Sequence, residues 1–235
     1  LSAALGFDTA TDDVAVAALR GETVLHESLL GPREGGAPVH AAALLGEVER
    51  AVEAAGGWDS VERIAVGVGP GSFTGIRVGI ASARALGLGR DLPLAGVCTL
   101  DALAAGISAE DGRDRLVVTD ARRGEVFAAL YSPAGERLWG PTVGSPEDLA
   151  GRIAGLERAV LCAGSGAVRF RQQLTSRSVE IPDDAEPVHR IAARHVCALG
   201  SAGAGEEAPG SVAPIYLRPP DAKRWRERGT DRKAE

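Results

Sequence analysis

At 235 residues, with 45% hydrophobic residues, 25% charged residues and 31 glycines, the chain has the composition of a globular protein, one large domain or two lobes, and not of a disordered or fibrous one. A formal net charge of −6 argues against binding nucleic acid by charge alone, and no apolar run reaches the roughly 18 residues of a membrane span. Aromatic residues make up 4%, so Val, Leu, Ile and Ala must build the core.

In chain order, "AALGF" running into Asp8 reads as a strand, and Val14 to Leu19 and Thr23 to Leu30 flank the turn "RGE" as a hairpin. Val39 to Ala55 carries Ala41, Leu44, Leu45, Val48, Val52 and Ala55 at helical spacing. Arg63 to Val68 is a strand, Gly75 to Leu88 a helix and "LAGV" a further strand. The second half repeats this order. "LVVTD" ends in Asp120, "EVFAALY" and "GERLWGPTV" follow, then a helix from Pro146 to Gly155 with Ser145 as N-cap, the strand "AVLCAG" and a helix near Ile191 to Leu199. Val14 lies six residues after Asp8, and Val126 six after Asp120. The spacing predicts an α/β chain of two lobes with a duplicated βββαβαβ topology, residues 1–100 and 101–217, and a cleft between them. That order is the arrangement of the actin-like, sugar kinase and Hsp70 ATPase group, with Asp8 and Asp120 in the places where its first strands end in acids facing a nucleotide cleft. From Arg218 onward seven Lys or Arg stand against four acids, so 218–235 reads as a basic, solvated tail.

Three dispersed cysteines, Cys98, Cys162 and Cys197, form no C-x-x-C pair and fit buried thiols in a reducing compartment. "LSAALGFDTA" lacks a basic n-region and a long apolar core, so it is not read as a signal peptide, and a cytoplasmic location is expected.

The stretch "GVGPGSFTGIRVG" invites three chemistries, and the residues remove two. A P-loop needs a Lys followed by Ser or Thr, and the stretch has no Lys. A nucleophile elbow needs G-x-S-x-G, whereas Pro70 and Thr74 occupy the glycine positions around Ser72. What remains in Gly69, Pro70, Gly71, Ser72, Phe73 and Thr74 is a turn opening a helix, capped by Ser72 or Thr74, with or without an anion at its amides. In that helix Gly75, Gly79, Ala83 and Gly87 recur at every fourth residue. Each glycine costs about 0.8–1 kcal/mol relative to Ala, so close packing must offset them, within this chain or against a second one. His40 has Leu44 four residues on, so no helical His pair exists there and no metal is expected.

"GVGPGSFTGIRVGIASARALGLG", with "LGFDTAT", "DARRGEVFAALY", "GSGA" and "PIYLR", resembles the bacterial TsaB (YeaZ) family over nearly the whole chain. The resemblance implies an actin-like (ASKHA, RNase H-like) fold and a place in forming threonylcarbamoyladenosine beside the anticodon of tRNA. It implies a non-catalytic partner that binds and activates the enzyme TsaD, is joined by the ATPase TsaE, and depends on TsaC for the threonylcarbamoyl-adenylate donor. His40 with Leu44 is then half of the enzyme's metal pair, and after Gly166 little length remains for an adenosine-binding subdomain. The interface expected for TsaD, or for a second copy in a homodimer of the isolated chain, is His40, Leu44, Leu45, Val48 and Val52 with Gly75, Arg77, Gly79, Ala83 and Leu86. Asp8, Thr9, Thr11, Asp120 and Arg122 are expected to face the interlobe cleft, with Glu125 near it. No firm cofactor and no catalytic residue is implied, the cleft leaves room for a weakly held nucleotide, and tRNA is met through the complex. Two rivals are an actin-like nucleotide-dependent phosphotransferase or ATPase, which would keep Asp8 and Asp120, and a peptidase, which lacks its serine motif and zinc pair.

Overall fold

A computed structural model of the chain describes residues 2–32, 40–108, 112–156, 158–203 and 211–218, without the side chains of residues 40–42. The first sheet contains β1 (Ala3–Asp8), β2 (Val14–Arg20), β3 (Thr23–Leu30), β4 (Val61–Gly67) and β5 (Leu94–Val97), in the order β3-β2-β1-β4-β5. β1 and β2 are buried on both faces, which is why they read as unbroken apolar runs, whereas the edge strand β3 is half exposed. The second sheet repeats the order as β10-β9-β6-β7-β8, from β6 (Asp114–Arg122), β7 (Glu125–Tyr131), β8 (Arg137–Gly144), β9 (Val160–Ala163) and β10 (Val179–Glu180). In each lobe the first three strands are antiparallel and the later ones parallel to the first. The duplication expected from the sequence is therefore present.

Outer helices complete each lobe. α1 (His40–Ala54) packs on β2 and β3, and α2 (Phe73–Arg90) on β4, with Leu44, Val48, Val52, Ile76 and Ile80 in one core with Phe7 and Ile64. The second lobe has α4 (Pro146–Ile153), capped by Ser145 as expected, then the short pieces α5 (Ser165–Arg169) and α6 (Arg171–Leu174), broken at Phe170, where the first lobe has one long helix.

The inner helices cross over. α3 (Thr99–Ala105), which the periodicity did not show, packs on β6 and β7 of the other sheet. α7 (Ala193–Ala202) returns to β1, β2, β4 and β5. The two helices also touch each other, and the apolar layer they make joins the lobes through Leu100, Leu103, Val117, Phe127, Ile191 and Val196. Polar contacts fix the exchange. Asp101 on α3 accepts from Tyr131 Oη at 2.5 Å and Arg137 Nε at 3.1 Å, and buried Arg115 donates to the Ala104 and Ile107 carbonyls at the end of α3. Close approach of α7 needs glycine on both sides: a Cβ on Gly6 would lie 2.5 Å from Cys197 Sγ, and one on Gly200 2.4 Å from Ala65 Cβ.

A division at residue 100 thus follows the sheets but not the packing, because α7 covers the first sheet and Val212 lies in the first lobe's core. The expected helix of 39–55 begins at His40, with Val39 and the tail of 219–235 outside the described residues. The three cysteines are free and buried, and burial pushes the Cys98 thiol up to about 11 and that of Cys197 up to about 12. Among the described residues no helix is long and apolar enough to cross a membrane.

Candidate functional site

The Gly-rich turn between β4 and α2 is held almost entirely by backbone. Ser72 N donates to the Ala10 carbonyl at 2.6 Å, Val68 N to the Val97 carbonyl at 2.9 Å, and Thr99 N to the Gly69 carbonyl at 2.9 Å. The Gly69–Pro70 bond is cis, and Gly69 has φ +97°. A Cβ on Gly71 would lie 2.1 Å from the Ala10 carbonyl oxygen, so the loop presses on the β1–β2 turn where no side chain fits. Ser72 Oγ accepts from Gly75 N at 3.3 Å, which makes Ser72, rather than Thr74, the N-cap of α2. Thr74 is exposed beside the half-buried Phe73.

Asp8 does not face the cleft. It is 1% exposed, accepts from Ala10 N at Oδ1 and Thr99 Oγ1 at Oδ2, each at 2.7 Å, and Thr99 Oγ1 in turn accepts from Gly69 N at 3.1 Å. Burial raises its carboxyl above the ordinary 3.8, against the lowering pull of these hydrogen bonds. Thr9 is also turned inward, its hydroxyl donating to the Gly75 carbonyl at 2.7 Å. Both residues were expected at the cleft. They instead tie β1 to the Gly-rich turn, because α3 supplies Thr99 from a helix that the sequence pattern did not reveal.

The glycine stripe of α2 is likewise spent inside the lobe. Cβ atoms on Gly75 and Gly79 would meet the Thr9 carbonyl oxygen at 1.9 Å and Thr9 Oγ1 at 2.5 Å, and Ala83 is fully buried. Leu44, Val48 and Val52 of α1 are buried with them. As a surface for a second chain these six residues are corrected: they let α1 and α2 approach their own sheet. Of the expected interface, Leu45 is 55% exposed, Arg77 is exposed and Leu86 is half-buried, while the His40 side chain lies outside the described residues. The outward face of α2 is Thr74, Arg77, Ala81, Ala85 and Leu88, the last 72% exposed.

A cleft of about 520 Å³ does lie between the lobes, bordered by Thr11, Ser72, Phe73, Asp120, Arg122 and His189 among others. Thr11 Oγ1 accepts from Asp13 N at 3.3 Å in the β1–β2 turn. Asp120 Oδ1 accepts from Arg122 N at 2.8 Å, and Oδ2 is paired with Arg169 Nη1 at 2.7 Å. Arg122, at φ +64°, reaches across to Asp12, and its Nη2 lies 2.6 Å from Asp12 Oδ2. Arg190 makes a two-pronged pair with Asp13 at 2.8 Å. Glu125 is paired with Arg218. His189 is buried, its Nδ1 accepting from Gly164 N at 3.1 Å. Thr11, Asp120 and Arg122 thus border the cleft, with Glu125 beside it, and each acid there already has a cationic partner.

Sequence reasoning missed Thr99, Asp12, Asp13, Arg169 and Arg190. The run "TDD" after Asp8 was the available sign for Asp12 and Asp13, since two further acids in a tight turn need cations. Nothing local marks Thr99, which acts 91 residues from Asp8. Among the described residues no group of three or more His, Cys, Asp or Glu is placed to hold a metal ion.

A family model described as TsaD, tRNA N6-adenosine threonylcarbamoyltransferase, matches residues 31–183. An uncharacterized Mycobacterium tuberculosis protein is 36% identical over 95% of both chains, and a longer Mycobacterium leprae relative, 38% identical over 69% of this chain, is spanned for 40% of its length. The tRNA threonylcarbamoyladenosine biosynthesis protein TsaB of Escherichia coli is 39% identical over 57% of this chain and 57% of its own. Among solved structures, YeaZ from Pseudomonas aeruginosa, 26% identical, superimposes with a TM-score of 0.73 over 92% of this chain and all of that one. A ROK hexokinase from Thermus thermophilus, 15% identical with a TM-score of 0.52 over 85% of this chain and 99% of that one, shares the fold alone. With an actin-like fold and a Gly-rich turn built on Asp8, this chain belongs to the TsaB (YeaZ) family of the TsaD-type proteins.

Proposed function

We propose that the protein is a non-catalytic subunit that binds and activates a TsaD enzyme in forming threonylcarbamoyladenosine next to the anticodon of tRNA, with TsaE joining the pair and TsaC supplying the donor. The observation that carries the proposal is the outward face of the first lobe's helices. Leu88 at 72% and Leu45 at 55% are large apolar side chains left in water, and Ala81 and Ala85 leave α2 smooth enough for another helix to lie against it. The cleft chemistry supports the same reading. A phosphotransferase of this fold needs acids free to act on a nucleotide, whereas Asp8 is enclosed and Asp120 is paired with Arg169. The Ser72 hydroxyl, which caps α2, gives no support to a peptidase reading.

Reconstitution tests the proposal: tRNA threonylcarbamoylation by TsaD, TsaE and TsaC with and without this chain. Leu88→Asp should keep the fold, since an exposed substitution costs within about 0.5 kcal/mol, yet weaken co-elution with TsaD at least about tenfold by placing a charge in the contact. A folded Leu88→Asp chain that binds and activates TsaD like the wild type would overturn the interface. Tight ATP binding in the presence of Mg²⁺ by the isolated chain, followed by calorimetry, would favour the phosphotransferase instead.

A further inference from the structure

The run Pro214 to Arg218 takes no part in the reading above, yet it touches both lobes at the cleft border. Residues 211–218 form neither helix nor strand. Val212 is fully buried in the first lobe's core, and its carbonyl accepts from Arg84 Nη2 of α2 at 2.7 Å. Ile215 N donates to the Val68 carbonyl at 2.8 Å, beside the Gly-rich turn, and the Ile215 carbonyl oxygen would lie 3.1 Å from a Cβ on Gly69. Tyr216 stacks on Phe73 with ring centroids 5.2 Å apart, and its hydroxyl accepts from Arg77 Nε at 3.1 Å. Leu217 packs into the apolar layer between the lobes. At the far end Arg218 Nη2 donates to the Ala121 carbonyl at 2.6 Å and Nη1 pairs with Glu125, at the facing ends of β6 and β7 in the second lobe.

We infer that Val212–Arg218 is a latch that holds the two lobes at the observed closure and couples the cleft to the first turns of α2. Three features give it that character. It crosses from one lobe to the other in addition to α3 and α7, with only Ile215 and Leu217 packed against their layer, so its release leaves the lobes joined by those helices. It is anchored mainly by side chains: among the described residues Ile215 N to Val68 is its one backbone-to-backbone bond outside the segment, so beyond the buried Val212 little backbone pairing resists its local release. Its charged contacts reach both lobes, Arg84 and Arg77 on the first and Arg218 on the second, so loss of one end frees that end alone unless the segment acts as one unit. The cleft also holds Arg122 with both Asp12 and Asp120, and the two-pronged Arg190–Asp13 pair, contacts with side chains partly in water that share the closure with the latch.

Hydrogen exchange on the full chain tests the latch with no partner present, so its failure leaves the TsaD proposal untouched. Arg218→Ala should raise exchange about tenfold at the tip of the β6–β7 hairpin, residues 121–125, and also across the cleft in the Gly-rich turn, residues 67–74. Tyr216→Ala, a change at a residue 39% exposed, should do the same from the other side and reach residues 121–125. An effect of Arg218→Ala confined to 121–125, or of Tyr216→Ala confined to 67–74, would show independent local contacts and overturn the coupling. No change in either region with either variant would overturn the latch itself.

Discussion

Asp8 and Asp120 stand in equivalent places of the two lobes and make the same first bond. Each accepts from the amide two residues on, Ala10 N at 2.7 Å and Arg122 N at 2.8 Å. From there they diverge. Around Asp8 the turn closes: Thr99 comes in from α3, Gly67 lies directly against the carboxylate, and water is shut out. Around Asp120 the turn stays open to the cleft, and Arg169 and Arg122 take the place of Thr99. The difference teaches that a duplicated local motif does not carry a duplicated function. What arrives from distant elements decides whether a strand-end acid is a buried tie or a cleft charge.

Four experiments would break or sharpen this contrast. The largest effect should come from Gly67→Ala, whose Cβ would lie 1.8 Å from Asp8 Oδ2. Enclosure that tight should lower the unfolding free energy by about 3 kcal/mol, read from the urea midpoint; a variant as stable as the wild type would mean that Asp8 is loosely held. Thr99→Val comes next. It removes the hydroxyl that donates to Asp8 and accepts from Gly69 N, so about 1–3 kcal/mol should be lost by the same measurement. Loss of stability without change in the Gly-rich turn, seen as unaltered exchange at Gly69, would separate Thr99 from the loop.

The third concerns pH. Burial, with a smaller contribution from the Asp13 charge, raises the Asp8 carboxyl above 3.8, so the folded chain holds this proton more tightly than the unfolded one. The stability this adds is full below pH 3.8 and is lost as pH rises through the folded value. Measured between about pH 4 and pH 7, Asp8→Asn should therefore gain on the wild type as pH rises. A constant difference would mean that Asp8 titrates normally. The smallest effect belongs to the second lobe. Arg169→Ala breaks the pair with Asp120, yet Arg122 remains nearby and the Arg169 side chain is 51% exposed, so thermal unfolding should move by less than the equivalent of about 1 kcal/mol. A loss as large as that of Thr99→Val would make the two acids alike after all.

Much of the architecture was legible because it is written in local periods. Alternation and apolar runs gave the strands, the helical stripe from Ala41 to Ala55 placed α1, Ser145 announced the cap of α4, and Ser72 was one of two candidates, with Thr74, for the cap of α2. The six-residue spacing after Asp8 and after Asp120 exposed the duplication itself. The candidate site was legible only by residue type. Thr11, Asp120 and Arg122 reached the cleft, while Asp8 and Thr9 turned away from it.

The stripe of Gly75, Gly79 and Ala83 states that something approaches α2 closely, and no local rule says what. The answer is Thr9 and β4 of the same lobe, leaving Ala81, Ala85 and Leu88 for the outside. By itself the sequence determined most strands and the outer helices, the repeat and the exclusion of P-loop and serine-nucleophile chemistry, since each depends on residues within one turn or one strand. Only the tertiary structure decided which face is buried, which acid is enclosed and which is paired at the cleft, and where α3 and α7 lie, because those depend on contacts between residues such as Asp8 and Thr99 that no local spacing relates.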